Sequence, residues 1–236
     1  MEFRAWSPAP LEGSEQRPAP EEWMVTFDRS REARVLVLPA LFDEANKLRR
    51  STLTVMRALD ETGIDSALPD LPGCHESRAP MDTQTLARWR SCAAQVAHEF
   101  GATHALTIRG GALTVPSALP GWRYAPLSGA KLLANALRAQ VLAEREAGRT
   151  ETRESLMEQG RKDGLVLGGW PVGSELLQEL EAASEEPAPS LTAITQEQLG
   201  GGSLWLRAEP GEDSAQSEAL ARIVAEAIQA AEEAGE

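Results

Sequence analysis

The sequence is poor in the residue types that most often build metal sites and nucleophilic pairs. It has two cysteines, Cys74 and Cys92, which are too few for a disulfide scaffold or a four-cysteine zinc site. Its histidines are His75, His98 and His104, so no histidine follows position 104. We therefore expect neither a metal nor a cofactor, and a reaction that needs a histidine from the second half of the chain is excluded.

Positive charge and long apolar stretches are also scarce. Lys and Arg total 23 against 36 Asp and Glu, and the resulting net charge of −13 disfavours binding to nucleic acid or anionic lipid. The sequence has no run of about 18 apolar residues and no secretory signal pattern at its start, so no membrane insertion is expected. With 42% hydrophobic residues, the composition predicts one globular domain in the cytoplasm.

What the sequence does contain is an alternation of buried strands and amphipathic helices. Three short runs, at 34–39, 64–69 and 103–108, are predicted as buried strands, and the first of them is continuously apolar, as is typical of a strand that is covered on both faces. Apolar residues at helical spacing fill the intervals, from Leu48 to Leu59 and over about 83–100. This order predicts an α/β fold with a doubly wound, mostly parallel sheet of six to eight strands, in which the three runs are adjacent near the centre.

The rest of the chain follows weaker patterns. Residues 1–32 are predicted to be an N-terminal arm or edge strand, and residues 33–236 a single domain. Polar helical stretches over 129–160 predict an insertion that packs like a lid over the carboxyl ends of the strands. Further elements are expected as short strands at 122–126, 164–167 and 190–195, a short helix at 174–183, a linker at 185–189 and a helix from about Asp213.

A pair of glycines follows the third strand. The segment Thr107-Ile-Arg-Gly-Gly111 aligns with the G-x-S-x-G elbow, a strained strand-to-helix turn that lifts the nucleophile of an α/β-hydrolase above its sheet. Small residues occupy the turn, but Arg109 stands where the serine is needed, and a protonated guanidinium cannot attack a carbonyl. The alternative is an ordinary strand-to-loop turn with a solvated arginine.

A polar turn, DLPGCHES (70–77), follows the second strand. Such turns shape the loop beside the active site of α/β-hydrolases, but Asp and Gly here could equally serve turn geometry alone. The adjacent Cys74 and His75 are candidate catalytic residues as a thiol and its base. Neighbours along a chain rarely point at each other, which argues against that pairing.

A second polar segment, at 39–50, follows the first strand, where a hydrolase places the backbone N–H groups of its oxyanion loop. A dense polar cluster occupies the first turns of the following helix: Glu44, Asn46, Lys47, Arg49 and Arg50. The alternative is a solvated helix face with ion pairs at three- and four-residue spacing.

In this order and spacing, LPALFDEANKLRR (38–50), DLPGCHES (70–77) and TIRGGA (107–112) resemble the exosortase A system-associated hydrolases of type 2. The stretches 125–131, with the helix through Arg138, and 168–176 agree as well, so the resemblance spans about residues 33–185. Departures from the pattern are Ala40, Thr107 and His75, whereas arginine at the elbow is common in this type.

The resemblance implies an α/β-hydrolase fold in Gram-negative bacteria that sort proteins and make exopolysaccharide. It also implies a protein of the exosortase or exopolysaccharide system as a partner. It brings no substrate with it.

Neither the nucleophile nor the base of a Ser-acid-His triad is present. The triad histidine of the fold would follow the last strand, after Trp205-Leu-Arg207, where this sequence has none. The acid position, after 190–195, offers Gln196 or Glu197. Losing either the nucleophile or the base costs orders of magnitude in rate.

Two functions from different classes remain, with a purely structural interaction protein as a third. In the first, the chain is a binding or accessory protein whose Arg109, at a helix N-terminus, accepts a small anionic or acyl ligand. The ligand-binding residues in that case would be Arg109, Gly110, Phe42, Glu44, Asn46 and Cys74. In the second, it is an ester or thioester hydrolase or transferase that uses Cys74 as a thiolate, with Arg109 nearby lowering the thiol pKa.

Overall fold

The computed structural model describes residues 1–10, 19–116, 118–183 and 190–235, so the predicted linker at 185–189 lies outside the described residues. The strands are β1 (Glu2–Trp6), β2 (Glu22–Phe27), β3 (Arg34–Leu38), β4 (Asp65–Pro69), β5 (His104–Ile108), β6 (Gly121–Tyr124), β7 (Leu165–Leu167), β8 (Trp170–Val172) and β9 (Leu191–Ile194). The helices are α1 (Asp43–Glu61), α2 (Leu86–Phe100), α3 (Gly129–Glu146), α4 (Arg153–Asp163), α5 (Ser174–Ala182), α6 (Gln196–Leu199) and α7 (Ser214–Gly235).

Seven of these strands form one sheet in the order β1-β2-β4-β3-β5-β6-β9. The five strands from β4 to β9 are parallel, and β2 and β1 extend the sheet antiparallel at one side. The three runs predicted as buried strands form β4, β3 and β5, which are adjacent as predicted. Both faces of these strands are covered, which explains the continuous apolar run of β3, whereas β4 and β5 bury polar residues as well, namely Asp65, Ser66 and Thr107.

Helices cover both faces of the sheet and bury two apolar cores. One core joins the sheet to α2, α3, α4 and α5, and the other joins it to α1 and α7. At the centre of the first core lies Trp89, which is fully buried and donates its indole N–H to the Pro72 carbonyl oxygen at 2.9 Å. The hydrogen bond removes the cost of burying the one polar atom of this large ring unpaired.

Local chemistry sets the ends of α2. The Thr85 hydroxyl accepts a hydrogen bond from the Arg88 backbone N–H at 2.9 Å, which satisfies one of the free donors of the first turn. At the other end, Gly101 adopts φ 67°, the left-handed conformation that commonly terminates a helix. The chain thus re-enters the sheet within three residues of the helix end and delivers β5 to the centre.

The N-terminal segment contributes β1 and β2 to the sheet. β1 is the edge strand, and the side chain of Trp6 is buried in the first core. Residues 9 and 10 of the following loop lie near α2, where the Ala9 backbone N–H donates to the Gln95 amide oxygen at 2.9 Å. Within the residues that the structure describes, no helix has both the length and the apolar character needed to cross a bilayer.

The segment expected as the last strand differs from the prediction. Residues Leu204–Leu206 form a single 3-10 turn, and β9 is the edge of the sheet in the described chain. Leu204 is buried in the second core, whereas the Trp205 ring contacts the Arg109 guanidinium, which holds this segment across the strand ends. The alternation of the apolar residues there reflects these two anchors rather than strand pairing.

Candidate functional site

The turn after β5 has the backbone of a nucleophile elbow. Arg109 adopts φ 53°, an uncommon conformation for a residue with a side chain, and the chain continues into a 3-10 turn over Arg109–Leu113. A Cβ on Gly111 would lie 2.4 Å from the carbonyl oxygens of Leu38 and Pro39, so only glycine fits there. The predicted tight and strained turn is confirmed, with an arginine at its apex.

The side chain of Arg109 is buried and fully engaged within the protein. It is 7% exposed, and its Nε and Nη2 donate to the two oxygens of the Glu44 carboxylate at 2.9 and 3.0 Å. Its Nη1 donates to the Ala125 carbonyl oxygen at 2.8 Å. The Trp205 ring covers the guanidinium plane, with 4.1 Å between Cζ and the ring centroid. This is a bidentate carboxylate pair combined with a cation–π contact.

This arrangement corrects the expectation that Arg109 stands ready for an external anion. The anion that it binds is Glu44, at the start of α1 and in the segment that was predicted as an oxyanion loop. The residue before α1, Phe42, has φ 56° and takes the chain into the helix without a side-chain cap. The next residue of the elbow, Gly110, lies against the Leu41 side chain. Positive charge at the elbow is therefore neutralised from inside the chain.

Of the two residues that the sequence offered for the catalytic acid, Glu197 is exposed and Gln196 lies in a network of neutral groups. After β9, the Gln196 amide oxygen accepts a hydrogen bond from the Tyr124 hydroxyl, and its Nε2 donates to the Gln216 side chain at 2.9 Å. Burial raises the pKa of Tyr124 to about 12, so its hydroxyl keeps its proton at neutral pH. These hydrogen bonds join β6, α6 and α7 below the site. None of the three side chains can serve as a general base for the residue at the elbow.

A cavity of about 560 Å³ lies directly beside the Arg109–Glu44 pair. Its volume is in the range of small-molecule sites. The wall is formed by the start of α1, one face of α3, the β7–β8 hairpin and the turn at Trp205. Its lining residues are mostly apolar or aromatic: Leu41, Phe42, Leu132, Leu133, Ala136, Ala139, Leu167, Gly168, Trp170, Trp205 and Leu206, with Asp43, Glu44, Lys47, Asn135 and Arg138. Of the stretch predicted as a helical insertion, α3 thus contributes one face to the cavity wall.

The aromatic side chains of this wall are in mutual contact. The Phe42 ring lies 6.1 Å from the Trp170 ring in an edge-to-face arrangement and 6.3 Å from the Trp89 ring. Trp205 packs edge-to-face on Tyr124 at 5.9 Å. Such pairs contribute about 1 kcal/mol each beyond area burial. Ring contacts therefore hold the aromatic side chains of the cavity wall, Phe42, Trp170 and Trp205, in place.

Cys74 and His75 do not line this cavity. Burial raises the pKa of the Cys74 thiol to about 12, and the nearby Asp70 and Glu22 carboxylates act in the same direction. The expectation of a thiolate activated by Arg109 is thus wrong, because the surroundings of the thiol are apolar and acidic. Burial lowers the pKa of His75 to about 4, and its Nδ1 lies 3.4 Å from an Asp70 oxygen without a hydrogen bond.

Of the predicted ligand-binding residues, Phe42 and Glu44 line the cavity, and Arg109 and Gly110 lie at the elbow beside it. Asn46 is exposed on α1 and is not part of the wall. The other histidines are remote from any base position: His98 is exposed on α2, and His104 stacks on Trp122 at the start of β5. In the described part of the chain, no cluster of three His, Cys, Asp or Glu side chains could hold a metal ion.

Sequence reasoning missed the residues that shape the site most, namely Trp205, Trp170, Asn135 and Arg138. One signal was available for Trp205. The chain has six tryptophans but only 5% aromatic residues, and this tryptophan follows three consecutive glycines in the loop where a hydrolase keeps its base. A large ring in such a loop indicates a packing partner beyond the local chain.

No protein-family model matches the sequence, and no curated protein matches it either. Among solved structures, Est1E from Butyrivibrio proteoclasticus is similar at 12% identity over 88% of this chain and 95% of that one, with a TM-score of 0.52. Alpha/beta hydrolase domain-containing protein 10 from mouse is similar at 11% identity over 97% and 99%, also at 0.52.

A further structural match covers only part of the matched protein. Epoxide hydrolase VrEH1 from Vigna radiata aligns at 19% identity and a TM-score of 0.37, and the alignment spans 33% of that protein. Only the full-length similarities therefore bear on the architecture. Together with the sheet order and the elbow at Arg109, they establish that the chain has the α/β-hydrolase fold.

Proposed function

We propose that the protein binds a small ligand with an apolar body in the cavity beside Arg109 and does not transform it. The observation that carries the proposal is the pairing of Arg109 with Glu44 and Trp205. In a hydrolase of this fold, these strand ends would hold a nucleophile and its base. Here they hold a closed ion pair under an aromatic ring, next to a cavity of about 560 Å³.

The wall of the cavity sets the kind of ligand. Its aromatic and leucine side chains favour an apolar or aromatic body, and its few charged residues would face a polar end. Est1E was solved with ferulic acid bound, a ligand of this amphipathic kind. We use ferulate and its neutral methyl ester as probes for this reason.

The biological setting of the proposal comes from the sequence resemblance. A role as an accessory protein of the exosortase or exopolysaccharide system fits a hydrolase fold that has kept its cavity and lost its triad. The bound molecule would then be an acyl or aromatic compound of that system, held or delivered rather than cleaved.

Isothermal titration calorimetry with methyl ferulate tests the proposal. We expect saturable binding to the wild-type protein and none to Ala136→Trp, because residue 136 lines the cavity and an indole there would fill it. The matched control is Ala143→Trp, an exposed position on the same helix, which should bind as the wild type does. Equal binding by all three proteins, or release of ferulate from the ester, would overturn the proposal.

A further inference from the structure

We propose that Arg138 is the anion receptor of this cavity and that the ligand is a carboxylate. The inference rests on the proposed binding function and names its ligand class. It moves the anion-binding role from Arg109, where the sequence placed it, to a residue of the helical insertion. The catalytic residues of an α/β-hydrolase lie at the ends of its strands, and their chemistry does not require an arginine at position 138.

Arg138 differs from the other charged residues of the cavity wall because they are paired and it is not. Glu44 is paired with Arg109, and Asp43 is paired with Lys47 at 2.8 Å. Arg138 also lines the cavity, and within the described residues its guanidinium makes no ion pair or hydrogen bond. The wall therefore keeps one uncompensated positive charge, although the whole chain carries a net charge of −13.

Asn135 strengthens the assignment. It lines the same cavity and precedes Arg138 by three residues on α3, a spacing that puts both side chains on one face of a helix. An amide and a guanidinium offer several N–H donors within one turn. The guanidinium fork fits the two oxygens of a carboxylate, which makes this class of anion the natural guest.

The surroundings place the carboxylate at the rim and the apolar body inside. Arg138 and Asn135 are exposed, whereas Leu132 and Leu133, which line the cavity from the same helix, are buried. A ligand with its carboxylate on Arg138 would direct its apolar part toward the aromatic wall at Phe42 and Trp170. Such a molecule would have its charged end beside the exposed polar residues of the cavity and its apolar part beside the apolar side chains.

The test compares ferulate with methyl ferulate by isothermal titration calorimetry on three proteins. We expect Arg138→Gln to weaken ferulate binding roughly tenfold, the size of a lost charge-assisted hydrogen bond, and to leave methyl ferulate unchanged. Added salt should weaken ferulate binding to the proteins that keep Arg138 and should leave binding to Arg138→Gln nearly unchanged. The control is Arg145→Gln, which removes the same charge from an exposed position on the same helix outside the cavity.

Three results would overturn the inference. If Arg138→Gln binds ferulate as tightly as the wild type, or weakens both ligands equally, the assignment of Arg138 fails and the proposed binding function stands. If Arg145→Gln weakens ferulate as much as Arg138→Gln does, the effect is one of net charge and not of a receptor. If the wild-type protein binds neither ligand, the inference fails together with the function on which it rests.

Discussion

The guanidinium carbon of Arg109 lies 4.1 Å from the centre of the Trp205 ring. In an α/β-hydrolase, the elbow after the central strand and the loop near the end of the chain bring a nucleophile to a histidine. Here the same two parts of the chain meet as a cation and an aromatic face. The geometry of the elbow is kept while its chemistry is replaced by a stabilising contact.

The replacement extends to the third partner, Glu44. A serine at the elbow would need an open space above it for the substrate carbonyl and an oxyanion. In this chain the elbow instead carries a guanidinium that is fixed by the Glu44 carboxylate on α1 and by the Ala125 carbonyl. The arrangement ties three segments of the chain together at the carboxyl ends of the strands.

Removing the cation alone should destabilise the protein. Arg109→Met leaves the Glu44 carboxylate, whose side chain is 13% exposed, without its partner, and we expect the free energy of unfolding to fall by about 2 kcal/mol. The double variant Arg109→Met, Glu44→Gln should recover much of this loss, since the unpaired charge is gone. Urea unfolding at neutral pH measures both.

The control for that prediction is an exposed pair of the same chemistry. Arg50 pairs with Glu212 at 2.6 Å, and the Arg50 side chain is 72% exposed, so Arg50→Met should cost about 0.5 kcal/mol or less. Similar losses for Arg50→Met and Arg109→Met would show that burial of the elbow pair contributes nothing.

The purified protein should lack serine-hydrolase activity. A fluorophosphonate probe needs a serine whose proton is taken by a base. His98 is exposed on α2, His104 stacks on Trp122 at the start of β5, and His75, the one histidine that the sequence placed within reach of the cleft, lies beside Asp70 and does not line the cavity. Arg109→Ser should also stay unlabelled, because no histidine follows position 104 and the general base would still be missing. Labelling by mass spectrometry decides the matter, and stoichiometric modification that disappears when one serine is replaced would refute the prediction.

The centre of the fold was predictable because its determinants are local. The run that forms β3 is continuously apolar, and Gly63 and Gly101 close the helices that precede β4 and β5, so hydrophobic periodicity and glycine positions identified each element. The segment at Leu204–Leu206 misled the prediction, because its apolar residues serve two separate long-range contacts. A short apolar run does not distinguish a strand from an anchored turn.

The site was predictable only in its backbone. The glycine pattern located the elbow, but the partner of Arg109 lies 65 positions earlier in the chain and the ring above it lies in a loop near the other end. Contacts at such separations leave no periodic trace in one sequence. The same holds for Cys74, whose high pKa comes from its buried surroundings and the two carboxylates near them.

Neither cysteine should react readily in the folded protein. Burial raises the pKa of Cys74 to about 12 and that of Cys92 to about 11, so almost no thiolate is present near pH 8. Iodoacetamide should modify both thiols in denaturant at least tenfold faster than in buffer, as followed by intact-mass spectrometry. Rapid modification of native Cys74 that is lost in Cys74→Ser would instead show that this thiol is a nucleophile in the folded protein.

Glu22 is a carboxylate buried without full compensation. Its side chain is inaccessible to solvent, one oxygen accepts a hydrogen bond from the Ser77 hydroxyl at 2.7 Å, and the other oxygen has no partner. Burial raises the pKa of Glu22 to about 7, and the neighbouring Asp70 carboxylate adds to the increase. The folded state therefore holds this proton up to a higher pH than the unfolded chain does.

The sign of the pH effect follows from that difference. Protonated Glu22 contributes stability that is fully present below its unfolded pKa of 4.5 and is lost as pH rises through about 7. In Glu22→Gln the buried group stays neutral, so this loss disappears. From about pH 5 to about pH 8, the wild type should therefore lose roughly 2 kcal/mol of unfolding free energy relative to the variant.

Guanidinium unfolding at a series of pH values gives this difference, and Glu21→Gln, at the exposed neighbouring position, should follow the wild type throughout. Parallel stability profiles for the wild type and Glu22→Gln would show that Glu22 is already ionised in the folded protein.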